Sequence, residues 1–197
     1  AEERIDSMER ALLAITGSAG SALRRGDPYT QAQIIARVVS EADRHSRRSR
    51  VAGPLHDLAG QMFVRARDEA SSVEQYRLAI EKYGEYLEPD SDEILDATRG
   101  LATGLAYAAD LNGAIEMQAD LLDLHRGRER PNRRFEQDLE RMVELLVAAG
   151  RVADAEAFAD ELFEKQSAGR LSAFDLMHRG LFLIDCGRYD EAREHLE

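Results

Sequence analysis

The densest concentration of one chemistry in this 197-residue chain is a pair of arginine runs. Residues 43–50 hold Arg44, Arg47, Arg48 and Arg50, and residues 125–134 hold Arg126, Arg128, Arg130, Arg133 and Arg134. A guanidinium presents a planar fork of donors that matches carboxylate and phosphate oxygens, so both runs suit an anion or an acidic partner. The same residues also neutralise the negative C-terminal ends of helices, and solvated capping loops are the simpler reading. No aromatic residue is interleaved with either run, which argues against a single-strand nucleic-acid platform. The histidines offer less. Asp175 and His178, and Glu191 and His195, have helical spacing, but a metal site in a bundle needs several acids and a Glu-x-x-His on two helices. That pattern is absent, so we expect no metal and no cofactor. The phosphate-loop, nucleophile-elbow and zinc-protease motifs are absent too, so the chain does not read as an enzyme. A lone cysteine, Cys186, excludes an internal disulfide framework and is expected buried at an apolar helix end.

Charge narrows the partners. Lys+Arg number 26 and Asp+Glu 38, a net charge of −12, which makes nucleic acid an unlikely partner. The balance is uneven: +2 over residues 1–50 and −14 over 51–197. No apolar run approaches the roughly 20 residues of a membrane span. The first ten residues are charged and lack a signal peptide's apolar stretch, so the expected location is cytoplasmic. The chain starts without Met and stops at Glu197 inside a helical pattern, so we expect an excised piece of a longer protein; Leu196-Glu197 is either native or a cloning scar.

The elements that must carry these residues are helices. Apolar residues recur at three and four residues almost throughout, for example Ile94, Leu101, Leu105 and Ala108, then Phe135, Leu139, Met142 and Leu146. No period-2 alternation is sustained, so no sheet is expected. The four prolines fall between stripes or at a first turn. Asp27-Pro28 reads as a cap and first residue, and Ser71 or Ser72 with Glu74 or Gln75 as a capping box. Gly26, Gly150 and Gly187 mark helix stops. The spacing predicts about ten helices: 2–25, 29–47, 53–68, 72–88, 92–109, 112–126, 132–149, 152–167, 171–186 and 188–197. Connections of two to six residues make consecutive helices antiparallel.

Three turns align: Ala109 to Ala114, Gly150 to Ala155 and Gly187 to Ala192. Each reads small–x–apolar–x–x–Ala, and the final alanines are 41 and 37 residues apart. The small residue permits a sharp turn and the alanine a close approach of two backbones. The alternative is an irregular bundle with chance turns, but repeats at a fixed period favour stacked helix pairs.

This pattern resembles the tetratricopeptide repeat, which has a small residue in the first helix, Gly at the turn, an aromatic two later and Ala three after that. Gly180, Leu183, Gly187, Tyr189 and Ala192 match well. Leu146, Gly150, Val152 and Ala155 match, with Val143 where a small residue is usual; so do Leu101, Ala102, Leu105, Leu111 and Ala114. Upstream, Tyr76, Ala79 and Tyr83 resemble a second-helix half, after a helix with Arg67 where a small residue belongs. The resemblance implies an all-α fold, a right-handed α-solenoid of antiparallel helix pairs forming a single domain over 1–197. Pairs are degenerate over 1–91 and clearer at 92–130, 131–170 and 171–197.

It further implies a protein-protein interaction module, a scaffold within a regulatory protein, holding a peptide or partner segment on a concave face lined by first helices. Carried over by position, that face offers Asp96, Arg99, Thr103 and Tyr107, then Gln137, Glu140, Glu144 and Val147, then Phe174, Met177, Leu181 and Ile184. Acids with an apolar patch suit a basic or amphipathic segment. The last four residues alternatively pack on a following helix. A second function reading is a regulatory domain that senses a ligand or anion and is coupled to a separate output domain.

Overall fold

Four helices end where the backbone turns left-handed, and that event repeats at one register. In a computed structural model, the described residues are 28–44, 47, 49–127, 134–167, 179–184 and 186–196. Their helices are α1 (Pro28–Arg44), α2 (Ser49–Ala66), α3 (Glu69–Gly84), α4 (Asp92–Tyr107), α5 (Leu111–Arg126), α6 (Arg134–Ala148) and α7 (Val152–Ser167). Residues 179–184 are helical (α8), and α9 spans Tyr189–Leu196. No strand occurs among the described residues. The expected helix 2–25, Asp27 and Gly26 lie outside them.

Positive φ appears at Arg67 (60°), Ala109 (63°), Gly150 (72°) and Gly187 (73°). At each turn the following amide donates back to a carbonyl five residues earlier: Asp68 to Phe63 at 3.0 Å, Asp110 to Leu105 at 2.9 Å, Arg151 to Leu146 and Arg188 to Leu183 at 2.8 Å. These bonds satisfy carbonyls that a helix end leaves without partners. Five residues on stand Ser72, Ala114, Ala155 and Ala192, all buried in the next helix. Seven residues before stand Gly60, Ala102, Val143 and Gly180, also buried. The register is therefore shared by four successive helix–turn–helix segments, whose turns follow α2, α4, α6 and α8. The first was obscured because Arg67 and Ser72 occupy the Gly and Ala places.

Two helix starts differ from expectation. α3 begins at Glu69 rather than 72, because Asp68 accepts from the Ser71 amide (3.1 Å) and hydroxyl (2.8 Å). Ser72, expected in a cap, lies inside that helix. α2 begins at Ser49, so Pro54 is inside the helix instead of at its first turn. The extra turn is held by burial of Val51 and Ala52, which outweighs the lost proline hydrogen bond.

The chain forms two compact units, residues 1–110 and 111–197. In the first, Val38 and Ala42 of α1 pack on Val51, Leu55, Ala59 and Met62 of α2. α2 packs on α3, and α3 on α4. Three glycines admit two aromatic rings. A Cβ on Gly53 would lie 2.9 Å from the Tyr83 ring; on Gly60 and Gly100 it would lie 3.0 Å and 2.3 Å from that of Tyr76. Tyr76 is thus wedged between α2 and α4. In the second unit, α5 packs on α6 and α6 on α7. Its core holds Leu121, Leu122, Leu139, Met142, Leu146, Ala155 and Leu162. Phe163 of α7 meets Phe182 of α8 edge-on at 6.0 Å. No helix is long and apolar enough to cross a membrane among the described residues.

Candidate functional site

The first helices of the pairs in the first unit, α2 and α4, carry the face on which a partner is expected. Because 42 residues separate equivalent positions of these helices, Asp57, Gln61 and Arg65 of α2 correspond to Arg99, Thr103 and Tyr107 of α4. Asp57 was missed by the sequence reading, which found the upstream pair degenerate, with no glycine turn after α2, and carried no contact positions onto it.

Asp57 is the electrostatic centre of this face. Burial pushes its carboxyl from the usual 3.8 up to about 6. The Gln61 amide, donating at 3.4 Å, counteracts this, and the negative charge of Asp96 adds to it. A carboxylate loses hydration when buried, and among the described residues no Lys, Arg or His pairs with this one. Behind it, burial raises the phenols of Tyr76 and Tyr83, with Asp57 the strongest charge acting on each. In α2, His56 and Gln75 of α3 form a buried bond, Nδ1 to Oε1 at 2.8 Å.

The expected contact residues of α4 divide by what they already hold. Arg99 donates to Asp96 at 2.6 Å, an i,i+3 pair on the same helix. The Thr103 hydroxyl donates to the Arg99 carbonyl at 2.9 Å, so it is partly committed to its own helix. Tyr107 is 57% exposed.

In the second unit, Gln137 and Glu144 are exposed on α6, and Glu140 and Val147 are half-buried. Arg141 pairs with Glu144 at 2.8 Å. Leu181 and Ile184 of α8 are exposed, at 51% and 38%, whereas Phe182 and Leu183 are buried. Phe174 and Met177 lie outside the described residues.

The arginine runs are largely engaged where they are described. Arg44 pairs with Glu41 at 2.6 Å, and Arg50 lies over the Tyr86 ring at 5.8 Å. Arg126 binds Asp123 at 3.0 Å and Glu161 of α7 at 2.7 Å; the Glu161 hydrogen bond does most to raise its pKa. Arg47 is exposed, and Arg134 stands exposed in the first turn of α6. Arg48, Arg128, Arg130 and Arg133 lie outside the described residues. Cys186, expected buried, is half-buried, because the chain leaves α8 for the Gly187 turn there.

One constellation was invisible to the sequence reading. His125 of α5 lies 2.8 Å, Nε2 to Oδ2, from Asp138 of α6, and both side chains are nearly inaccessible. Gln118 donates its amide to the Asp138 carbonyl at 2.9 Å. The Phe135 ring packs on His125, and Lys165 covers that ring. His125, Gln118 and Asp138 are buried, so this cluster fastens α5 to α6.

No family model matches the sequence. No characterised protein matches it by sequence either. Solved structures do match. A Podosopora anserina protein described as a kinesin light chain, with nearly identical TPR-like repeats, superposes with a TM-score of 0.83 at 13% identity, covering 95% of this chain and 92% of that one. A single-substitution variant of that protein gives the same values. BtubC (BKLC) from P. vanneervenii gives 0.66 at 13% identity, over 95% and 88%. The fold of this chain is that of the tetratricopeptide-like helical repeats, all-α and built of stacked helix pairs.

Proposed function

We propose that this chain is a protein-interaction module, one domain that takes a peptide or partner-protein segment on the face lined by first helices. Tetratricopeptide-like repeat folds are in general protein-interaction scaffolds. The observation that carries the reading is the row Asp57, Gln61, Arg65, Asp96, Arg99, Thr103 and Tyr107 on α2 and α4, polar and half-buried to exposed, on two helices that clasp the Tyr76 ring between them. Such a face gives shape and hydrogen-bonding groups to an extended or helical segment. The anion-sensing alternative is less well supported, since Arg44 and Arg126 already hold carboxylates and Arg50 an aromatic ring.

The test is affinity capture with the immobilised chain, followed by a titration of each captured protein. Thr103→Arg with Tyr107→Glu should abolish capture, whereas Glu116→Arg, on exposed α5 surface, should retain it. Equal capture by both variants places the partner elsewhere. Capture of no protein, together with a thermal shift on adding inorganic phosphate or a nucleotide, would support the sensing alternative.

A further inference from the structure

Successive repeats share one register, so on backbone geometry alone a second helix could pack against any first helix. Two residues of α4 decide against that. A Cβ on Gly100 would lie 2.3 Å from the Tyr76 ring of α3. One on Gly104, a turn later, would lie 3.2 Å from Val73 Cγ2 and 3.3 Å from the Ser72 hydroxyl. Gly100 and Gly104 therefore form a socket of bare backbone for Tyr76 and Val73. The equivalent places of α6, 41 residues on, hold Arg141 and Leu145. A socket filled by those side chains admits neither the ring nor the valine.

The α5 helix makes the opposite choice. At the places of Tyr76 and Tyr83 it has Gln118 and His125. Both are buried, and His125 lies 2.8 Å from the Asp138 carboxylate of α6. At the place of Asp138, α4 has Ala97 and offers no carboxylate to His125. Against α4, the imidazole would be buried facing a methyl group, and the glycine socket would be left partly empty. A buried polar group without its partner and a void each cost stability. Against α6, Tyr76 would meet Arg141, and Asp138 would be buried without an imidazole. Each exchange is thus penalised twice, once in shape and once in polarity.

We propose that the two seams form a pairing code that fixes which first helix each second helix accepts. Tyr76 and Val73 admit a first helix with glycine at both socket places. Gln118 and His125 admit one that brings a buried carboxylate and fills the socket itself. The shared register makes the repeats stackable, and these few side chains make the stacking specific. The code is independent of the interaction-module reading and stands whatever the chain binds.

The experiment is urea denaturation of the whole chain, followed by circular dichroism, over two exchange cycles. Gly100→Arg puts the residue of α6 into the socket of α4 and should lower the urea midpoint by about 0.5–1 M. In the Tyr76→Gln background, which reproduces the Gln118 and Arg141 combination of the other seam, it should cost less than half as much. The reverse cycle puts Gln118→Tyr into the second seam. Its cost should likewise fall by more than half in the Arg141→Gly background, a comparison that cancels the helix-weakening effect of the glycine. Where Gly100→Arg does not fold, Gly100→Ala runs the same cycle with a smaller intrusion. The code is overturned if Gly100→Arg leaves the midpoint unchanged, or if either exchange keeps half or more of its cost in the matched background.

Discussion

Where α3 meets α4 the seam is aromatic; where α5 meets α6 it is polar. Tyr76 and Tyr83 stand 42 residues before Gln118 and His125, at equivalent places in successive second helices. In the first unit Tyr76 fits against Gly100. In the second, Gln118 and His125 grip Asp138, whose counterpart 41 residues earlier is the buried Ala97. One repeat geometry is thus closed by shape in one unit and by hydrogen bonds in the other. The first seam should be sensitive to volume and tolerant of polarity. The second should behave in the opposite way.

The largest expected effect breaks the polar seam. Asp138→Ala leaves the buried His125 without its carboxylate partner, while Gln118 keeps the residue-138 carbonyl, and should cost about 3 kcal/mol. Combining it with His125→Tyr imitates the first unit and should recover part of that loss in urea titrations; a double variant no better than the single would show that the seams are not interchangeable. Next, Gly100→Ala forces a methyl to within 2.3 Å of the Tyr76 ring and should cost about 1–3 kcal/mol, even though alanine is the better helix former.

Asp57→Asn should do the reverse. Because folding raises this carboxyl from 3.8 to about 6, the protonated form is favoured in the native state. The contribution of Asp57 to wild-type stability is therefore fullest below about pH 4 and is lost as pH rises through about 6. The variant escapes that loss, gaining about 2 kcal/mol at pH 7.5 and nothing below pH 4. A flat difference between pH 4 and 8 would refute the assignment. Ser72→Ala should raise stability by about 1 kcal/mol, since its buried hydroxyl has no partner among the described residues and the other three pairs have Ala there. The smallest effects belong to the turns. Arg67→Gly and Ala109→Gly relieve left-handed strain and should each add about 0.5–1 kcal/mol, whereas Gly150→Ala and Gly187→Ala should lose a similar amount.

Much of the fold was legible because it is written in short-range patterns. Helical spacing located the stripes, and Gly150 and Gly187 located left-handed turns that glycine adopts without penalty. The same logic read the pair α2–α3 only as a degenerate one, because Arg67 and not glycine takes the left-handed turn there. It misplaced the start of α3, because Asp68 caps only once that turn has formed. The candidate site was less legible. Arg99, Thr103 and Tyr107 followed from repeat register, but the pairing of Asp57 with Asp96 and of His125 with Asp138 depends on which helices touch. No spacing along the chain encodes those contacts.

The wedged Tyr76 has a practical consequence. The chain contains no tryptophan, so tyrosine dominates its aromatic absorption and emission. The buried tyrosines among the described residues, Tyr76 and Tyr83, belong to the first unit, while Tyr189 of the second is 68% exposed. Near-ultraviolet dichroism should therefore follow loosening of the first unit, and far-ultraviolet dichroism the helices of both. Coincident transitions by the two signals would mean that the units melt as one; separated transitions would identify the aromatic seam by its own optical signature.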